Sequence, residues 1–138
     1  MVDVAKLGSQ LIEKGQEGID GFIFDIQSIP GEIEVLKVSI EGREELPIFL
    51  SNASTEILCI SYLFKENEIL ESANDNMHSA MITMNIPMPL SSFGKIRDQY
   101  VIFGALSTTS TLDDIVHEII TLSDNTLEAI KTMREYLK

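Results

Sequence analysis

The sequence predicts an α+β fold: an antiparallel sheet of about five strands, made of a three-strand meander plus a hairpin, with an N-terminal helix, a middle helix and a long C-terminal amphipathic helix. Three observations carry this reading. Apolar residues recur at helical spacing near the start, between residues 69 and 84, and again from residue 112 onward. They alternate between residues 33 and 64. Pro87, Pro89 and the polar turn "RDQ" then punctuate a last alternating stretch. No repeat, low-complexity tract or Gly/Ser linker divides the 138 residues, so residues 1–138 read as one domain. A chain of this size can bury roughly two-thirds of its unfolded surface.

In order along the chain, Val4, Leu7 and Leu11 sit about one helical turn apart, and the glycines of "GQEGIDG" stop that helix. Phe22, Phe24 and Ile26 alternate like a short strand or an extended entry. "SIPGE" turns the chain into Ile33 to Ile40, whose Leu36, Val38 and Ile40 share a face. After "EGREE" comes "LPIFLSN", with Pro47 at its opening, where a missing amide donor is tolerable. The turn "SNAS" leads to Thr55 to Phe64, with Leu58, Ile60, Tyr62 and Phe64 read on one face. Ile69, Ala73, Met77, Ala80 and Met84 mark the middle helix, which Pro87 and Pro89 forbid from continuing. The methionines at 77, 81, 84 and 88 cluster here as core filler or as a soft partner surface.

Ser91 to Ile96 and Tyr100 to Leu106 form the hairpin. Its Phe93, Tyr100, Ile102 and Leu106 can feed a core face, while Gly104 marks a bulge or a place where another element packs closely. Thr111-Leu-Asp-Asp is an N-terminal cap. Beyond it Leu112, Ile115, Ile119, Leu122, Ile130, Met133 and Leu137 keep helical phase, although Ser123-Asp124-Asn125 is a place where the segment can break in two. Unbroken, the helix would be about 40 Å long, against a domain diameter of about 37 Å. Its apolar stripe would then invite a second chain. Leu127, Ile130, Met133 and Leu137 are therefore the candidate oligomer or partner interface.

Composition narrows the function classes. A net charge of −12 argues against a nucleic-acid ligand, because phosphate binding rests on lysines and arginines, and the 10 here are scattered. The acidity serves solubility or steers toward a cationic partner; it also allows imitation of nucleic acid toward a DNA-binding protein. The opening "MVDVAKLGSQLIEKG" carries an acid at position 3 and no long apolar run, so a cytoplasmic protein without direct membrane insertion is expected. Cys59 is the single cysteine, within an apolar strand, and reads as a packed thiol.

The catalytic constellations have structural explanations. Ser92-Phe93-Gly94-Lys95 matches S-x-x-K, and Ser123-Asp124-Asn125 and Lys131-Thr132-Met133 mimic the later motifs of serine acyl-transferases. That chemistry places the serine at the opening of a helix with the lysine one turn away. Here a strand is expected, which points Ser92 and Lys95 to opposite sides. A small hydrolase or acyl-transfer enzyme using these two residues is the alternative to a non-enzyme. Asp113, Asp114, His117 and Glu118, and separately Glu71, Asp75 and His78, have metal-ligand chemistry, but each group reads as the solvated face of its helix. No phosphate-cradling glycine motif occurs, and no cofactor is expected.

The words "ELPIFLS", "ILCISYLF", "NIPMPLSSFGKIRDQYVIFGALS" and "LSDN" resemble the YjfI-like family of uncharacterised bacterial proteins, from Gly31 to Leu137. The resemblance brings no catalytic residues. It implies an operon setting beside a phage-shock-protein-A-like membrane scaffold, hence a protein partner of that kind and envelope-stress work. The order of elements is also similar to type III secretion chaperones, which are small, acidic, cytoplasmic and dimeric. The expectation is a non-catalytic binding or adaptor protein, homodimeric, with a protein partner.

Overall fold

The computed structural model describes residues 4–17, 21–53 and 55–138. Gly18 of the first helix stop and Ser54 of the turn "SNAS" lie outside them. Helix α1 spans Val4–Glu17. The strands are β1 (Phe24–Ile29), β2 (Val35–Ile40), β3 (Ile48–Ala53), β4 (Glu56–Lys65), β5 (Ser92–Ile96) and β6 (Gln99–Ser107). Helix α2 (Asn74–Asn85) joins β4 to β5, and α3 (Leu112–Met133) follows β6.

The six strands form one sheet in the order β1-β2-β3-β4-β6-β5, with every neighbouring pair antiparallel. The expected count of about five rises by one because the stretch after Phe22 is a full strand. It pairs with β2 along its length, from Phe24 opposite Ile40 to Ile29 opposite Val35. The expected hairpin is β5-β6, and β6 lies between β4 and β5, so β5 forms one edge of the sheet. Asn85 Oδ1, at the end of α2, accepts a hydrogen bond of 2.7 Å from the Phe93 amide of that edge strand. One outward donor of the edge is thereby sealed, which discourages strand addition.

All three helices pack on the same face of the sheet. Leu7 and Leu11 of α1 join Phe24, Leu36, Val38 and Ile40 in the core, with Gly8 set against the Leu36 side chain and Gly15 against Phe24. Ile115, Ile119, Leu122 and Met133 of α3 share that core with Ile48, Leu50, Ile57 and Ile102. Met77 and Met81 of α2 are buried in it, and Met84 and Met88 pack against it. In β4 the buried side is Ile57, Cys59 and Ser61, while Leu58, Ile60 and Tyr62 lie on the other face. A register shift between Tyr62 and Lys65 then returns Phe64 to the core. The reading of Leu58, Ile60, Tyr62 and Phe64 as one face is corrected by that shift, since an extra residue inverts the alternation.

Thr111 Oγ1 accepts from the Asp114 amide at 3.1 Å and Asp114 accepts from the Thr111 amide at 3.3 Å, the reciprocal capping box that starts α3. The helix does not break at Ser123-Asp124-Asn125, because each side chain there has a partner. Arg43 donates to Ser123 at 3.0 Å and pairs with Asp124 at 2.8 Å, and Asn125 donates to the Pro89 carbonyl at 2.8 Å and to Ser91 at 3.0 Å. Its 22 residues give a rod of about 33 Å. The helix stops at Met133 rather than running to Leu137, which instead forms a single bridge with Ile69. It thus lies along the sheet with no overhang of 40 Å.

Candidate functional site

Three places in this fold gather chemistry-bearing residues. The first is the Ser92/Lys95 pair. Both lie on β5, three residues apart, so they project from opposite faces of the sheet. Lys95 pairs with Glu66, an interaction that raises its pKa, and its amine lies 5.2 Å from the centre of the Tyr100 ring. Ser92 faces the other way, opposite Phe103. The hydroxyl and amine of the S-x-x-K motif therefore do not converge, and a panel of serine-reactive probes is expected to label the parent chain no more than Ser92→Ala in mass spectrometry.

The second place is a buried polar node between α3 and the sheet. Glu118 is only 2% exposed, and its Oε1 is buried without a hydrogen-bond partner among the described residues. Burial pushes its carboxyl up to about 7. It rests on Gly104 of β6: a Cβ added at that glycine would collide with Glu118 Oε1 and stand 2.8 Å from the Leu90 carbonyl oxygen. Cys59 lies opposite Gly104 in the β4-β6 ladder, and burial, with the charge of Glu118 adding to it, pushes its thiol up to about 12. Such a thiol stays protonated at neutral pH and is a poor nucleophile. The reading of Glu118 as part of a solvated face is corrected here. Its place three residues after Ile115 and four before Leu122 sets it on the apolar stripe, a signal present in the sequence. Gly104 marks the close approach rather than a bulge.

The companion residues scatter. Asp114 serves the helix cap, Asp113 pairs with Lys14 at 3.3 Å, and His117 is exposed. His78 is half-buried and shares a 2.6 Å hydrogen bond with the Tyr100 hydroxyl, so it too departs from the solvated face expected for it. Among the described residues no three His, Cys, Asp or Glu side chains gather as a metal site.

The third place is the sheet face away from the helices. Cross-strand neighbours there run Phe49–Ile60–Phe103 and Tyr62–Val101–Gly94. The Phe49 and Tyr62 rings pack tilted to one another, 5.4 Å between centres, and the Phe103 ring lies so close over Gly94 that a Cβ there would meet it at 2.8 Å. Leu58, Ile60, Gly94, Lys95, Ile96, Val101 and Phe103 line a shallow groove of about 250 Å³. Tyr62 and Ile96 at its margin are 46% and 47% exposed. No described helix covers this apolar surface.

The sequence-expected interface residues separate. Met133 is fully buried in the chain's own core, and so is withdrawn from any partner while the fold is intact. Leu127 and Ile130 are half-buried on α3, and Leu137 is half-buried beyond it.

Comparison with known proteins places this architecture. Residues 1–137 match the family model described as "Uncharacterized protein conserved in bacteria (DUF2170)". The chain belongs to the DUF2170 family. Within this family's reach, it is 38% identical over 105 residues to "Uncharacterized protein YjfI" of Escherichia coli (strain K12), covering 73% of this chain and 77% of that protein. The YjfI protein of Escherichia coli O157:H7 matches to the same extent. Among solved structures, the DUF2170 chain is similar to a chain in the crystal structure of the ExsC-ExsE complex. The TM-score is 0.53 at 14% identity, with 95% of this chain and 96% of that one covered. At that identity the likeness is one of fold. No helix of the described residues is long and apolar enough to cross a membrane.

Proposed function

We propose that this DUF2170 protein is a non-catalytic, chaperone-like binding protein that holds an apolar segment of a protein partner on the helix-free face of its sheet. The observation that carries this reading is the surface of Phe49, Leu58, Ile60, Tyr62, Ile96 and Phe103, which no described helix covers. Contiguous apolar surface of this kind marks interaction sites in folded proteins. The fold likeness to a chain from the ExsC-ExsE complex supports the same class of role, as does the resemblance of the element order to type III secretion chaperones. The partner class that the family resemblance implies is a phage-shock-protein-A-like membrane scaffold, with the protein working as a cytoplasmic homodimer in envelope stress. Leu127, Ile130 and Leu137 are a second candidate contact.

The test is a tagged pull-down from the native cell, detergent-solubilised membrane included, with the parent chain and with Tyr62→Asp. Tyr62 is partly exposed, so the variant should fold, as circular dichroism will check. Recovery of a stoichiometric protein partner by the parent, and its loss by roughly tenfold or more in the variant, is the expected result. Undiminished capture by Tyr62→Asp and by Ile60→Asp would remove the sheet face from the interface.

A further inference from the structure

A cavity of about 220 Å³ lies on the helix side of the sheet, where α2 meets the β5-β6 hairpin. Its apolar wall is Met81 and Phe93, both buried, with Ile82 exposed at the rim and the Gly94 backbone beside it. Its polar wall is His78, Asn85, Lys95 and Tyr100. No Asp, Glu, Lys or Arg stands between Asp75 and Lys95, so Lys95 is the one charged side chain among the residues lining this cavity.

The groups left open at the polar wall are donors. His78 Nε2 and the Tyr100 hydroxyl are 2.6 Å apart; with the ring N–H donating, the phenol keeps its own proton for a second acceptor. Asn85 has committed its Oδ1 to the Phe93 amide and retains its NH2 group. Lys95 brings an ammonium, 5.2 Å from the centre of the Tyr100 ring, and a hydrogen bond to Glu66 above all, with Tyr100 adding to it, raises its pKa and keeps it charged. Donors beside an apolar wall call for an anionic acceptor on an apolar body. We infer that this cavity binds a small monocarboxylate with an apolar tail, the carboxylate meeting Lys95 Nζ and the Tyr100 hydroxyl and the tail lying along Met81, Ile82 and Phe93. The volume holds roughly seven waters at about 30 Å³ each, which suits a chain of about six carbons. Glu66 already shows what the amine recognises. It is an exposed carboxylate on the 3-10 turn after β4, and an exposed pair of this kind holds weakly, so a ligand carboxylate can take its place while Glu66 returns to water. The inference does not rest on the partner-binding reading, which uses the helix-free face of the sheet.

The experiment is a titration of the isotope-labelled full chain followed by amide NMR, with sodium hexanoate as the probe, hexanol as its uncharged counterpart and sodium chloride as the ionic-strength control. Hexanoate should give saturable shifts at the amides of His78, Gly94 and Lys95 with a Kd on the order of 1 mM or tighter, and hexanol should bind at least roughly tenfold more weakly. Lys95→Met should weaken hexanoate by roughly tenfold or more and Tyr100→Phe by roughly fivefold. Both variants should keep the rest of the spectrum, because Lys95 is exposed and phenylalanine retains the buried ring of Tyr100. L-Norleucine adds an ammonium group to the same chain and separates two sources of such a ligand: tighter than hexanoate, it marks an amino acid whose ammonium Glu66 accepts; weaker, a simple carboxylic acid. The inference is overturned by the absence of saturable shifts up to about 20 mM hexanoate, by equal affinity for hexanol, or by undiminished binding to Lys95→Met. A Tyr100→Phe chain that loses stability but no affinity for hexanoate overturns it too, since His78 and Tyr100 would then only clip α2 to β6.

Discussion

Gly104→Ala is expected to lower the unfolding free energy by about 3 kcal/mol, the scale of overpacking a closed core. Gly104 lies where β6 passes directly beneath the Glu118 carboxyl, and a single methyl there meets that carboxyl and the Leu90 carbonyl oxygen at 2.8 Å. A side-chain carboxyl can swing aside. The Leu90 carbonyl cannot move so freely, because it belongs to the corner that Asn125 holds through Pro89 and Ser91. Glu118→Ala in the same chain should therefore restore only part of the loss, and the two substitutions should be non-additive. Urea unfolding of the single and double variants checks this; a Gly104→Ala cost below about 0.5 kcal/mol would show that the contact is slack.

Glu118 itself carries the second large effect, through pH. The ordinary glutamate value is 4.5 and burial raises it to about 7 in the fold, so the folded chain holds this proton more tightly than the unfolded one. The stabilisation is fully present below the unfolded value and is lost as pH rises through the folded one. Above pH 7 the fold must hold an ionised carboxylate whose Oε1 has no hydrogen-bond partner among the described residues, at a cost of up to about 3 kcal/mol. Glu118→Gln mimics the protonated group in shape and lack of charge. At pH 8 it should be more stable than the parent by up to that amount, and near pH 4 the advantage should disappear. Urea midpoints of both chains across that range are the measurement. Parallel pH profiles for the two would mean that Glu118 is solvated or paired in solution.

These two residues show where sequence reasoning stops. The apolar phase of Leu36, Val38 and Ile40, and the cap at Thr111, were legible because each depends on neighbours within a few positions. The two-proline corner and the hairpin were legible for the same reason. The strand Phe24–Ile29 was only half visible, since its exposed Gln27 and Ser28 blur the pattern and its pairing with β2 decides it. The faces of β4 were misassigned because both carry apolar residues, and a register shift at Tyr62 exchanges them. Met133 fell on the apolar stripe of α3, but phase alone does not tell a core stripe from an interface stripe. Exposed Ile82 of α2 could not be told from buried Met77 and Met81 for the converse reason: apolar residues surround the helix, and only packing decides which of them the core uses.

By itself, then, the sequence determined the α+β class, the order of helices, meander and hairpin, the end of α2 before its two prolines and the cap that opens α3. Those features are local, set by backbone geometry and by periodicities of two and 3.6 residues. The tertiary structure alone decided that all three helices share one side, leaving Phe49, Ile60 and Phe103 uncovered, and that Glu118 meets Gly104. Which surfaces stay bare depends on contacts between residues far apart in the chain, and hydrophobic burial, having no direction of its own, does not encode those pairings locally.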